Sequence, residues 1–135
     1  MHYPWTTAKA ALHRLSISET GSEFDDVILE YTDPTTGGPV MPTIACYVQR
    51  LRPGKHTSAH KHTPNTVYHV IEGQGTTIVD GQRLEWGPKD IFIVPGWAQH
   101  EHINESSSQP AYLFSYTDGP VFKALDLYRE QPQES

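Results

Sequence analysis

Short strand-like runs separated by turn-forming residues occupy the chain from Thr43 to about Tyr116, and no other feature restricts the fold as strongly. Each run is rich in β-branched and aromatic residues, and Gly, Pro or Asp stands between consecutive runs. Asp80-Gly81 is a strong signal for a two-residue hairpin. The runs are Ile44–Leu51, Thr66–Ile71, Thr76–Val79, Arg83–Trp86, Ile91–Val94, His100–Ile103 and Ala111–Tyr116. Many short strands at this spacing predict an all-β sandwich or barrel.

Helical patterns flank this β region. Residues 5–15 carry apolar side chains at helical spacing, which predicts a short N-terminal helix lying outside the main body. After Pro120, apolar residues as far as Tyr128 share one helical face, and residues 131–135 are polar and are expected to fray. The predicted organisation is an N-terminal helix and arm (1–42), one barrel (43–118), and a C-terminal helix and tail (119–135).

Charge and size exclude several classes of function. The chain has 135 residues, enough for one domain with its own core. Ten basic against sixteen acidic side chains give a net charge of −6, so we expect no binding to nucleic acid or to anionic membranes. No apolar run approaches the roughly 18 residues of a membrane span. A single cysteine, Cys46, and an N-terminus without a signal-peptide pattern predict a cytoplasmic protein.

Histidines are abundant, with eight in the chain, and their placement predicts a metal site. Side chains alternate along a strand, so His60 and His62 would point to the same side. Two imidazoles at the interior end of a strand suit zinc, copper, iron or nickel. The third ligand has to come from elsewhere in the chain, and His100 or His102 is the obvious source.

Two motifs in this region resemble those of the cupin superfamily. The first is carried by Gly54, His60, Lys61, His62, Val67 and Gly73, and the second by Pro95, Gly96, His100 and Asn104. The resemblance implies a single cupin jelly-roll barrel (double-stranded β-helix) with a short helix at each end. It also implies that His60, His62 and His100 hold one divalent metal inside the barrel.

The sequence departs from the cupin pattern at one position that matters for charge. Cupins commonly supply a glutamate a few residues after His-x-His, but here Thr66 or Val67 stands in its place, and Glu72 belongs to a turn. Three neutral histidines would leave the positive charge of the metal uncompensated by protein. Such a site would favour an anionic substrate that chelates the metal and leaves room for dioxygen.

Segments outside the motifs resemble the C-terminal cupin half of gentisate 1,2-dioxygenases, and the related salicylate and 1-hydroxy-2-naphthoate dioxygenases. The segments are 3–5, 31–38, 41–44, 67–73, 87–95, 113–118 and 124–130. The resemblance implies ring cleavage of a hydroxy-aromatic carboxylate with dioxygen at iron(II), although another transition metal could occupy the site. The alternatives are a metal cupin of another reaction class (another dioxygenase or an isomerase) and a non-catalytic small-molecule binding cupin.

The resemblance also nominates residues around the metal. The catalytic iron of those two-cupin enzymes usually lies in the N-terminal half, which carries an arginine where this chain has Tyr68. Arg50 or Arg52, on the preceding strand, could take over the contact with a substrate carboxylate. Tyr68 and His102 are the candidate catalytic side chains, because His102 shares strand parity with His100.

Two further residues, Trp97 and Gln99, lie in the turn before His100 and are candidate substrate contacts. The open edges of a jelly roll and the apolar terminal segments also predict a homodimer or a larger homo-oligomer.

Overall fold

The computed structural model describes residues 2–18 and 20–133, which form two helices and ten strands. The helices are α1 (Trp5–Ser18) and α2 (Gly119–Ala124). The strands are β1 (Val27–Tyr31), β2 (Ala45–Leu51), β3 (His60–His62), β4 (Thr66–Glu72), β5 (Gly75–Val79), β6 (Gln82–Trp86), β7 (Ile91–Val94), β8 (His100–Asn104), β9 (Ala111–Thr117) and β10 (Glu130–Pro132). All seven predicted strands are confirmed, with ends shifted by at most one residue.

Among the described residues the strands form two antiparallel sheets that enclose the interior as a jelly roll. Sheet one has the order β1-β2-β9-β4-β7, and sheet two has the order β10-β3-β8-β5-β6. Consecutive strands often lie in different sheets, so residues distant in the sequence meet inside the barrel. The predicted all-β jelly-roll fold is confirmed.

The barrel core fills one part of the space between the sheets. Its largest fully buried apolar side chains are Leu51, Val70, Val94 and Leu113. Burying a side chain of this kind contributes roughly 1.5–3 kcal/mol. These four residues belong to sheet one, and Trp86 on β6 joins the same cluster from sheet two, so the cluster holds the two sheets together. The remaining interior is open and holds the site described below.

Helix α1 covers the outer face of sheet one. Ala8 and Leu12 pack against Val27, Val48 and Tyr112, which project outward from β1, β2 and β9. The predicted N-terminal helix is therefore confirmed as an element outside the barrel, and it continues beyond residue 15 because no Gly or Pro interrupts it before Ser18.

The segments on either side of the predicted barrel contribute strands that the sequence did not reveal. β1 comes from the N-terminal arm and pairs with β2 along its whole length, and β10 comes from the C-terminal tail and pairs with β3. The boundaries 1–42, 43–118 and 119–135 stay a prediction, to which the structure adds these two pairings.

The C-terminal segment differs from the prediction in two respects. Helix α2 ends at Ala124 instead of continuing to Tyr128, because the backbone turns at Asp126, where φ is 58°. Fraying was wrong for Gln131 and Pro132, which pair with β3, while residues 134–135 lie outside the described part of the chain. Across residues 2–18 and 20–133, no helix has the length and apolar character needed to cross a membrane.

Candidate metal centre

Three histidines meet on the inner face of sheet two. His60 and His62 lie two residues apart on β3 and share a face, and His60 is the register partner of His100 on β8. One ring nitrogen from each histidine lies within 4.8 Å of the ring nitrogens offered by the other two. The alternation of side chains in β3 and the β3–β8 pairing thus bring the three predicted ligands together.

The loops after β3 and before β8 are tied to each other. The Trp97 N–H donates to the His62 carbonyl at 2.7 Å. Gly96 approaches the neighbouring loop so closely that a Cβ there would lie 2.5 Å from the Thr63 carbonyl oxygen, so only glycine fits without a shift. This contact fixes the position of β3 relative to β8, and therefore the positions of the histidines they carry.

Each of the three histidines has an acceptor at Nδ1. The acceptors are the Glu130 carboxylate for His60 at 3.0 Å, the Pro64 carbonyl for His62 at 3.1 Å and the Ala98 carbonyl for His100 at 3.0 Å. Since carbonyl and carboxylate oxygens only accept, Nδ1 carries the proton in each ring and Nε2 keeps its lone pair. Metal-ligating histidines have this arrangement, in which the second nitrogen donates to an oxygen and fixes the ring.

The Nε2 atoms that would bind the metal make no hydrogen bond within the described residues. Nε2 of His60 and Nε2 of His100 are buried without a hydrogen-bond partner there. Buried polar atoms are nearly always satisfied, so such an atom calls for an explanation. A metal ion bound by the Nε2 atoms explains both, and the residues present therefore fit a divalent transition metal.

The protonation state of the histidines suits metal binding as well. Burial lowers the pKa of His100 to about 3, against the opposing effect of its hydrogen bond to Ala98. Burial also lowers the pKa of His60, although its hydrogen bond to Glu130 acts in the other direction. Both imidazoles are therefore neutral near pH 7, the form in which histidine binds a metal.

Glu130 corrects the expected electrostatics of the centre. The sequence predicted a metal charge without compensation by protein, but the Glu130 carboxylate contacts His60 directly and places a negative charge next to the ligand set. Tyr128 Oη donates to its other oxygen at 3.1 Å. Glu72 does not contribute, because its carboxylate pairs with Lys9 and accepts from Trp5 on α1.

The three histidines adjoin a cavity of about 540 Å³, and His60 and His62 line it. The facing wall comes from sheet one, and its inward side chains include Tyr47, Gln49 and Tyr68. Six charged or phenolic lining residues were not predicted from the sequence: Asp25, Glu30, Tyr47, Lys123, Tyr128 and Glu130. The run 27–31 is strand-like, so it could have indicated that residue 25 enters the barrel, but nothing local indicated β10.

Burial and the surrounding charges act on the acidic groups of this cavity. Burial and the nearby Glu130 raise the pKa of Asp25 to about 6. Burial, followed by the charge of Asp25, raises the pKa of Tyr68 above its ordinary value, so this phenol stays protonated and can donate a hydrogen bond. Tyr68 is therefore a protonated phenol at the cavity wall, and its catalytic role stays a prediction.

A family model described as Cupin domain matches residues 47–116, which include both histidine motifs. The chain belongs to the cupin family.

This cupin is similar over nearly its whole length to dioxygenases. It is 52% identical over 132 residues to a 5-aminosalicylate 1,2-dioxygenase of Comamonas sp, covering 97% of this chain and 35% of that protein. It is 33% identical to a 1-hydroxy-2-naphthoate 1,2-dioxygenase of Nocardioides sp. (strain KP7), covering 98% and 34%. The crystal structure of a salicylate 1,2-dioxygenase variant from Pseudoaminobacter salicylatoxidans in complex with gentisate matches with a TM-score of 0.89 and 29% identity, covering 98% of this chain and 37% of that one.

These comparisons confirm the predicted resemblance to salicylate- and 1-hydroxy-2-naphthoate-type dioxygenases, and gentisate 1,2-dioxygenases match too, for example one from Haloferax sp at 33% identity. The cupin spans about 35% of the length of the curated relatives it matches.

The other sequence-predicted site residues lie at different depths in this cupin. His102 is fully buried behind His100, and its Nδ1 is 2.8 Å from Thr77 Oγ1, which also accepts from Trp86 Nε1 at 3.0 Å. Burial, together with His100, lowers the pKa of His102 well below its ordinary value, so the ring is neutral. His102 does not line the cavity. Its Nδ1 is hydrogen-bonded, but its Nε2 is buried without a hydrogen-bond partner among the described residues, and its catalytic role stays a prediction.

The candidate substrate contacts Arg50, Trp97 and Gln99 do not line the cavity either. Arg50 lies on the outer face of β2, where its guanidinium contacts His13 and Tyr112, because the inward positions of that strand are 47 and 49. Trp97 is 42% exposed and stacks under Lys61, whose Nζ is 4.5 Å from the ring centroid.

Arg52, the alternative to Arg50, pairs with the buried Asp26 at 2.5 Å. Neither arginine lines this cavity, and the expected contact of either one with a substrate carboxylate stays a prediction.

Proposed function

We propose that this cupin forms the iron(II) centre of a ring-cleaving dioxygenase that acts on gentisate or a related hydroxy-aromatic carboxylate. The observation that carries the proposal is the convergence of three histidines, each with Nδ1 hydrogen-bonded, beside a cavity of about 540 Å³. A cavity of this size falls in the range of small-molecule sites and accommodates one aromatic ring with its substituents. The names of the curated relatives support the same reaction class.

Bound iron(II) would supply Lewis acidity, redox chemistry toward dioxygen and coordination positions that three protein ligands leave open. The residues of the chain orient the ring around it. Lys123 is the basic residue among the described side chains that line the cavity, so we assign it the attraction of the substrate carboxylate. Tyr68 Oη, on the facing wall, donates a hydrogen bond to the bound aromatic acid. It keeps its proton because burial raises its pKa.

The test is oxygen uptake by protein reconstituted anaerobically with iron(II). Gentisate, salicylate, 5-aminosalicylate and 1-hydroxy-2-naphthoate are offered in turn, and the metal content is measured in the same samples. We expect uptake with at least one acid and none from His62→Ala, which lacks one ligand. No uptake from protein shown to contain iron would refute the assignment for these acids.

A non-catalytic binding cupin is the second candidate. The observation that favours it is that no arginine among the described residues lines the cavity, so a carboxylate would be held less rigidly than by a bidentate guanidinium. Binding of an aromatic acid to the metal-loaded protein, without oxygen uptake, would select this alternative.

We also propose a homodimer or larger homo-oligomer in the cytoplasm. β7 is one of the two edge strands of sheet one. Ile91 and Ile93 on it are 67% and 57% exposed, which supports burial against a second copy. Sedimentation equilibrium of the wild type and of Ile93→Lys tests the assembly, and we expect the substitution to shift the protein toward the monomer.

A further inference from the structure

Asp25 lies in the cavity but has no part in the metal centre described above. It lies two residues before β1, and its backbone carbonyl accepts a hydrogen bond from Gln49 Nε2 at 3.0 Å. This contact anchors the residue to the inner face of β2. The backbone of Asp25 is therefore held at the wall of the space that a ligand would occupy.

The two consecutive aspartates 25 and 26 differ sharply in their contacts. Asp26 is 1% exposed, and its carboxylate accepts from the Arg52 N–H at 2.8 Å and from Arg52 Nε at 3.0 Å. The Asp25 carboxylate has neither a hydrogen bond nor an ion pair within residues 2–18 and 20–133. Asp26 is thus satisfied by the fold, whereas Asp25 has unused acceptor capacity.

The surroundings of Asp25 indicate that its carboxylate faces the cavity. Its charge acts on three phenols that line the same space, and it contributes to raising the pKa values of Tyr47, Tyr68 and Tyr128. Glu130, another lining residue, in turn acts on Asp25. A partly buried carboxylate among phenols, in the same cavity as His60 and His62, is an acceptor available to a ligand there.

We propose that Asp25 is a specificity-determining residue, whose carboxylate accepts a hydrogen bond from a hydroxyl or amino substituent on the ring of an aromatic acid bound at the three-histidine centre. This inference rests on the proposed function, since it takes the ligand to be an aromatic acid at that centre. The substituent meant is one that does not chelate the metal.

The physical basis is the cost of an unpaired acceptor. A carboxylate that loses water to a bound ring without gaining a donor is penalised, whereas a donor on that ring restores the lost hydrogen bond. Sites built to hydrogen-bond a substrate group reject analogues that lack the group far better than apolar pockets distinguish shapes. Asp25 would therefore favour aromatic acids whose ring carries a hydroxyl or amino group facing its carboxylate over acids that have only a hydrogen atom at that ring position.

Calorimetric titration of the zinc-loaded protein tests the proposal without relying on turnover. Zinc accepts imidazole ligands and has no redox chemistry, so the ligands remain intact during the titration. The probes are salicylate, which has only the chelating pair, and gentisate and 5-aminosalicylate, which add a hydroxyl or an amino group. We expect the wild type to bind both donor-bearing acids at least about tenfold more tightly than salicylate.

Two variants and one control complete the experiment. Asp25→Ala should abolish this preference and leave salicylate affinity within about twofold, and Asp25→Asn should retain part of it because its amide oxygen still accepts. Asp126→Asn, outside the cavity, removes the same charge and should keep the full preference; asparagine tolerates the φ of 58° at that position. Thermal unfolding verifies that each variant is folded.

The results separate this proposal from the proposed function. Equal weakening of all three acids in both Asp25 variants, or an unchanged preference, overturns the role of Asp25. A preference that disappears in Asp25→Ala supports it, even if the iron(II) protein takes up no oxygen and ring cleavage is thereby refuted. Failure of all three acids to bind the zinc-loaded wild type overturns both.

Discussion

Glu130 and His60 are 70 positions apart in the chain, and a carboxylate oxygen of Glu130 lies 3.0 Å from His60 Nδ1. This contact exists because β10 pairs with β3, which places Glu130 opposite His62 and Pro132 opposite His60. It fixes the ring of His60 with Nε2 directed toward the other two histidines and brings a negative charge close to them. The metal centre therefore depends on a residue that no local motif marks.

Replacing Glu130 with glutamine should weaken metal binding about tenfold, because loss of such an oxygen partner typically lowers metal affinity by 10–100-fold. The amide oxygen of glutamine can still accept from His60, so the variant mainly removes charge. Competition with a chromophoric chelator measures the affinity. Glu101→Gln is the matched control, since Glu101 contacts His56 at 2.7 Å in a pair whose histidine side chain is 54% exposed, and it should bind metal like the wild type.

The metal-free protein should lose stability as the pH falls from 7 to 5. The folded-state pKa values of His60, His100 and His102 lie below 6.5, so the unfolded chain takes up protons in this range while the folded protein does not. Each such histidine makes unfolding easier by up to about 1.4 kcal/mol per pH unit. Asp25, with a raised pKa of about 6, opposes part of this loss.

Urea unfolding in the presence of a chelator at pH 7 and pH 5 measures that dependence. His100→Asn removes one of the three histidines and should show a shallower loss of unfolding free energy between the two pH values than the wild type. Identical pH dependence in the two proteins would contradict the explanation given for His100.

Substituting Lys123 with glutamine should raise the dissociation constant of aromatic acids by up to about fivefold at low ionic strength, because an exposed ion pair contributes about 0.2–1 kcal/mol. The difference should shrink at high salt, where exposed charges are screened. Titration of the zinc-loaded protein with salicylate at two salt concentrations measures both effects. Lys89→Gln is the control; an equal loss of affinity there would show that Lys123 acts only through net charge.

Thr77→Val should destabilise the fold by about 2–6 kcal/mol. The Thr77 hydroxyl lies 2.8 Å from His102 Nδ1 and accepts from Trp86 Nε1, so its removal leaves two buried polar atoms without a partner, at about 1–3 kcal/mol each. Denaturant unfolding measures the change. Thr77→Ser keeps the hydroxyl and loses one methyl group, so it should cost only about 1 kcal/mol; a serine variant as unstable as the valine variant would assign the effect to packing instead.

Much of the fold and the three candidate ligands could be predicted because their signals are local. The strands of the barrel alternate in character and end at turn residues, and His60 and His62 share a face in any strand. β10 is a different case, because Glu130 and Pro132 have low strand propensity. They are extended only because β3 offers a partner, and tertiary pairing of this kind overrides local preference.

The face on which Arg50 lies was equally hidden from the sequence. In β2, positions 47 and 49 enter the cavity while Val48 and Arg50 face outward, but α1 covers the outer face and makes it apolar as well. Both faces of this strand are half-buried. The alternation of side chains therefore shows which residues share a face, but it does not indicate which of the two faces points into the barrel.

The β3–β10 pairing also makes the metal centre and the C-terminal segment a single coupled equilibrium. Glu130 reaches His60 only while β10 is docked, so docking raises the affinity of the centre for metal. By thermodynamic reciprocity, metal binding must favour docking by the same factor. Protection of the β10 backbone amides against hydrogen exchange should therefore rise on metal loading. The degree of order of the segment that follows α2 would then depend on whether the centre holds a metal ion.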